Sequence, residues 1–173
     1  MYPEFPFDKI LISKSNKPFL QNQVFQFSIS HTSNYAAAIV SKSNNVGIDI
    51  EIANERVMKI AHKFLSDNEM VIFGLNNQNN LNLSISSSEK NYNVIDYDQI
   101  KLLTILWSCK ETIYKWWGNG KVDFKKMITI DYFKLETTSK IDAAFTEGSN
   151  SKLTNLEIDY RLFEDLCLTF TCL

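Results

Sequence analysis

The chain has 173 residues, enough for one domain with a buried core, and its 45% hydrophobic and 22% charged content is that of an ordinary globular protein. A net charge of −2, scattered lysines and only Arg56 and Arg161 as guanidinium donors make a nucleic-acid backbone a poor partner. No apolar run is long enough to cross a membrane. The first residues, with Pro3, Glu4 and Asp8, lack a signal-peptide pattern, so a cytoplasmic location is expected. Cys109, Cys167 and Cys172 have no metal-ligand spacing and read as small buried hydrophobes in a reducing compartment.

Residues 1–20 read as irregular, with Pro3, Pro6, Pro18 and a short apolar piece, Ile10-Leu11-Ile12. Residues 24–30 alternate apolar and polar, as a half-buried strand does. Residues 35–41 and 46–52 are two more strand-like runs, and Lys42-Ser43-Asn44-Asn45 between them predicts a hairpin. Asn54 is a candidate N-cap for a helix through Phe64 that puts Val57, Ile60, Ala61 and Phe64 on one face. Ser66 with Glu69 three later predicts a capping box for a second helix. Residues 76–95, rich in Asn and Ser, read as a mobile loop. A long helix is predicted over about 96–117, closed by Gly118-Asn119-Gly120. Strands follow at 127–132, 141–145, 156–161 and 166–171, with Gly148-Ser149-Asn150 as a turn. Helices and strands come in mixed order without alternation, so the class is α+β, in a single domain.

Three constellations carry potential chemistry. In Val46-Gly47-Ile48-Asp49-Ile50-Glu51, the period of two puts Asp49 and Glu51 on one face. Such a pair suits Mg²⁺, and equally a solvated acidic edge. In Trp107-Ser108-Cys109-Lys110-Glu111-Thr112-Ile113-Tyr114-Lys115, Glu111 and Lys115 stand one turn apart, about 6 Å along the helix. Alone they read as a surface pair beside an aromatic anchor. Ser28-Ile29-Ser30-His31 offers two hydroxyls and a histidine at a strand end, fit to hold a phosphate or simply structural. His62 reads as solvent-facing, Glu69 as a helix cap, and Lys121, Lys125 and Lys126 as a solvated face able to attract an acidic partner.

Taken in order, SxSH, GIDIE, WSxKExxxK and GxG resemble the 4′-phosphopantetheinyl transferases of the longer Sfp-type branch. Lys17-Pro18-Phe19, Phe64-Leu65-Ser66-Asp67-Asn68-Glu69 and Gly118-Asn119-Gly120-Lys121 match as well. The resemblance implies a mostly antiparallel sheet packed against the long helix. It implies transfer of the phosphopantetheine arm of coenzyme A to a serine of an acyl or peptidyl carrier protein, with release of adenosine 3′,5′-bisphosphate. Asp49, Glu51 and Glu111 match the family's Mg²⁺ ligands. Glu111 is the matching base, directly or through a metal-bound water, and Lys115 the lysine that stabilises the leaving phosphate. His31 and Lys110 match phosphate-contacting positions, Ser30 adds a hydroxyl, and Trp107 is expected to orient the helix by packing.

Relatives of that branch have two similar halves. By this resemblance residues 1–23 correspond to a remnant of the first half and a linker, and 24–173 to the catalytic second half. Basic residues that hold the adenosine phosphates in relatives have no counterpart before Lys9. Three explanations fit: a start placed too late, a truncated relic, or a cleft rebuilt by self-association into a homo-oligomer. Two further functional readings stay open. One is a catalytically impaired homologue that only binds a partner; the other is a different Mg²⁺ enzyme such as a nuclease or ATPase.

Overall fold

The computed structural model describes residues 2–13, 17–22, 24–75, 96–148 and 152–173. The predicted 76–95 loop and most of the Gly148-Ser149-Asn150 turn lie outside the described residues. The strands are β1 (Ile10–Ile12), β2 (Pro18–Leu20), β3 (Gln26–Thr32), β4 (Tyr35–Ser41), β5 (Val46–Ile52), β6 (Ile128–Ile130), β7 (Thr138–Glu147), β8 (Lys152–Phe163) and β9 (Leu166–Cys172). The helices are α1 (Arg56–Phe64), α2 (Asp67–Ile72), α3 (Tyr97–Trp117) and α4 (Phe124–Met127). Every described strand pairing is antiparallel, in the order β5-β9-β8-β7-β6 for the large sheet, with β1–β2 and β3–β4 as separate pairs. No helix among the described residues is long and apolar enough to cross a membrane.

The axis of the fold is α3. Asp96 caps it by accepting from the Asp98 and Gln99 amides, and Gly118, at φ 71°, ends it in the left-handed region that glycine tolerates. Leu103, Leu106, Cys109 and Ile113 bury one face against Ile128, Ile130, Ile141, Phe145 and Ile158 of the sheet. Val57, Ala61 and Phe64 of α1 join that core, with Ile60 packed at its margin. A second, smaller core of Phe5, Leu20, Phe25 and Phe27 lies under the N-terminal strands.

Four local expectations are corrected. The hairpin joins β3 to β4 through Ser33-Asn34, with Thr32 opposite Tyr35, rather than joining β4 to β5. Ser41 Oγ accepts from the Ser43 and Asn44 amides, which turns the chain away from pairing, and β5 goes on to pair with β9. The reason is burial: Val46 through Ile50 are all buried, more than an isolated hairpin can cover. The first twenty residues are not wholly irregular, since Ile10–Ile12 pairs with Pro18–Leu20. The strand expected from 127 begins at Ile128, because Asp123 accepts from the Lys125 and Lys126 amides and winds Phe124–Met127 into α4. Cys172, the last residue of β9, is exposed, whereas Cys109 and Cys167 are buried.

Gly47 sets how closely α3 lies on β5. A Cβ there would stand 2.1 Å from the Thr112 carbonyl oxygen and 2.9 Å from the Trp116 amide nitrogen, both backbone atoms of the helix. Gly47→Ala should therefore push α3 off the strand and cost about 2–3 kcal/mol, read as a lower urea midpoint.

Candidate active site

Where β5 crosses α3, strand and helix exchange side chains in opposite directions. Gly47, Asp49 and Glu51 face the helix in turn, and the helix answers with Thr112 and Trp116, then Ser108 and Lys115, then Trp107. Asp49 is 2% exposed, which excludes a solvated acidic edge. Its Oδ1 accepts from Lys115 Nζ at 2.6 Å and Ser30 Oγ at 2.9 Å, and Lys115 Nζ also donates to Ser30 Oγ at 2.8 Å. Oδ2 accepts from Ser108 Oγ at 2.8 Å on the buried side. β3 is held against this arrangement by Ser28, whose Oγ accepts from the Ile48 amide.

Glu51 and Glu111 complete an acidic cluster. Burial first, then the Asp49 charge, pushes the Glu51 carboxyl up, opposed by a 3.2 Å hydrogen bond from Trp107 Nε1 and by Lys115. Glu111 is pushed up to about 7, by burial first and then by Asp49 and Glu51, against the pull of Lys115. An all-oxygen donor set under mutual repulsion is the chemistry that suits a hard cation such as Mg²⁺. As they stand, the acids are not drawn to one point. Among the described residues no group of three or more His, Cys, Asp or Glu side chains has metal-holding spacing, and the cation on Asp49 is the Lys115 ammonium.

Two residues expected to meet phosphate lie elsewhere. Lys110 is fully buried on the core side of α3, where Nζ donates to Glu69 Oε2 at 2.8 Å and to the Phe124 and Ile128 carbonyls. An ammonium has three protons, and all three are taken. Glu69 is thus more than a cap: besides its capping box with Ser66 it accepts from the Ile130 amide and ties α2, α3 and β6 together. The spacing of Lys110 from Leu106 and Ile113, on one helical stripe, was the sequence signal for this burial. His31 is exposed and, by strand alternation, on the face of β3 opposite Ser30.

Trp107 packs edge-on against Phe64 and also donates to Glu51, a second task that the expectation of an orienting anchor left out. Sequence reasoning missed Ser108, Thr112, Thr169 and Lys17. The first three form a buried hydroxyl chain behind Asp49. Lys17 Nζ donates to the Lys115 carbonyl at 3.0 Å, and burial lowers its pKa. A hydroxyl or ammonium that serves only its neighbours leaves no periodicity to find.

Residues 45–171 match the family model of the 4′-phosphopantetheinyl transferase superfamily. The chain is also similar to 4′-phosphopantetheinyl transferase gsp of Aneurinibacillus migulanus, 27% identical over 184 residues that cover 95% of this chain and 69% of that protein.

Two stability measurements follow from this geometry. Glu111 binds its proton more tightly folded than unfolded, so metal-free stability falls as pH rises from about 4.5 through about 7. Glu111→Gln removes that penalty: denaturation in EDTA should find it equal to the parent near pH 4 and more stable by on the order of 2 kcal/mol at pH 8. Lys110→Met leaves Glu69 buried without its cation and should cost about 3–5 kcal/mol in the same assay.

Proposed function

Since the chain belongs to the 4′-phosphopantetheinyl transferase superfamily, we propose that it moves the phosphopantetheine arm of coenzyme A onto a serine of an acyl or peptidyl carrier protein. The observation that carries this reading is the joining of Asp49, Glu51, Glu111 and Lys115 in one electrostatic cluster at the β5–α3 crossing. Phosphoryl transfer needs charge neutralised at a pyrophosphate and a proton removed from the attacking hydroxyl. A buried acid cluster with one partly exposed ammonium beside it meets both needs.

In this reading Asp49, Glu51 and Glu111 would hold Mg²⁺, which when bound supplies positive charge to the coenzyme A pyrophosphate. The serine oxygen attacks the phosphorus that carries the pantetheine arm, and its proton passes to Glu111. The bond from that phosphorus to the bridging oxygen breaks, and adenosine 3′,5′-bisphosphate leaves. Glu111 fits the base by position: it stands one helical turn from Lys115 and close enough to Asp49 and Glu51 to feel both charges. Lys115 leaves Asp49 and follows the charge to the departing phosphate. Ser30, which already touches both, fixes the starting point of that movement.

The test is gel or mass detection of phosphopantetheine on apo carrier proteins of fatty-acid, polyketide and peptide-synthetase type, with coenzyme A, with and without Mg²⁺. The expected result is Mg²⁺-dependent labelling, reduced at least about a hundredfold in Asp49→Ala, Glu111→Ala and Lys115→Ala. Lack of labelling of every carrier type by the unaltered protein would overturn the reading.

A further inference from the structure

We propose that Thr169 is a positioning residue for the Asp49 carboxylate, acting through Ser108 and fixing which of its two oxygens faces the reaction. The proposal deepens the transfer reading and rests on it for its activity readout. Thr169 lies on β9 directly across from Asp49 in the strand register, on the same side of the sheet, at 0% exposure.

Counting protons fixes the direction of the chain. Asp49 Oδ2 can only accept, so Ser108 Oγ spends its single proton there, at 2.8 Å. At its 2.9 Å contact with Thr169 Oγ1, Ser108 must then accept, and Thr169 donates. Thr169 has no second proton, so at 2.6 Å it accepts from Thr112 Oγ1, whose one proton is shared with the Thr169 carbonyl at 3.2 Å. The order is Thr112 to Thr169 to Ser108 to Asp49, with the last two hydroxyl dipoles aimed at the carboxylate. Ser108, Thr112 and Thr169 are all fully buried, so bulk water has no access to rearrange them.

The consequence falls on the other oxygen. With Oδ2 held inward by a hydroxyl that is itself held, the carboxyl cannot turn about its Cβ–Cγ bond. Oδ1 alone is offered to the side where Ser30 and Lys115 stand. Asp49 would thereby offer one oxygen to a cation. Without the Thr169 proton, Ser108 loses the partner that locks its rotor, and the carboxyl gains freedom. A merely structural hydroxyl would affect stability and leave ion binding unchanged.

The test compares the unaltered protein with Thr169→Val, which keeps the shape and drops the hydroxyl, and Thr169→Ser, which keeps the hydroxyl. Mg²⁺ binding is read by calorimetry and the Mg²⁺ concentration for half-maximal carrier labelling by activity, with circular dichroism checking that each variant is folded. Thr169→Val should weaken Mg²⁺ binding and raise that half-maximal concentration about tenfold, and Thr169→Ser should recover most of both. Should Thr169→Val fail to fold, Ser108→Ala removes the direct hydrogen bond and should show the same weakening. Unchanged Mg²⁺ binding in a folded Thr169→Val, or equal impairment of the Ser and Val variants, would overturn the positioning role while leaving transfer intact. Unaltered protein that binds no Mg²⁺ would overturn it too. Weakened Mg²⁺ binding in Thr169→Val beside an unaltered protein that labels no carrier would uphold the role of Thr169 and defeat the transfer reading.

Discussion

The contact between the backbone of α3 and Gly47 governs the rest of this molecule. Ordinary side chains between a strand and a helix would hold the two backbones further apart. With no side chain at Gly47 the helix backbone comes to rest on the strand. Two residues on, the same close approach lets a serine hydroxyl reach Asp49 at 2.8 Å. Lys115, reaching Asp49 at 2.6 Å, completes the cluster. The site is thus a by-product of packing: the glycine sets the gap, and the acids and their partners fill what remains of it.

That arrangement holds costly groups in place by giving each a partner. Lys110 and Glu69 are both at 0% side-chain exposure, and their remaining protons and lone pairs go to backbone atoms of α4, β6 and the α2 cap. Removing one partner from such a network strands a charge, so it specifies one orientation of α3 and with it the direction of Glu111. The Asp49–Lys115 pair is different. The lysine is about a quarter exposed, while the aspartate is closed in, so one partner can swing away and the other stays. Two ion pairs on one helix therefore divide the labour, one fixing the scaffold and one able to open.

The long helix, its glycine stop, the capping box at Ser66 and the facing of Asp49 with Glu51 were legible because each follows from local rules of period and capping. The family was legible from the order of short motifs, and residues 45–171 belong to it. The partner of β5 was not legible. Adjacent strands with a polar connection predict a hairpin, but β5 is buried along most of its length and pairs with a strand more than a hundred residues away. The inward direction of Lys110 was hidden for a related reason, since a family motif assigns a residue its role without stating which side of the helix it takes. The hydroxyl chain was invisible because Thr169 and Ser108 meet only after that distant pairing has formed.

That distant pairing also has a bearing on biosynthesis. β5 is made more than a hundred residues before β9, with Asp49 and Glu51 already on it, and its hydrogen-bonding edge stays open until β9 is made. Closing a loop of that span makes folding slow and dominated by non-local contacts. Until then the nascent chain carries an apolar, unpaired strand, the feature that chaperones shield. Assembly of the acidic cluster consequently waits for β9, and a ribosome stalled before Leu166 releases a product with every acid of the site and no frame to hold them.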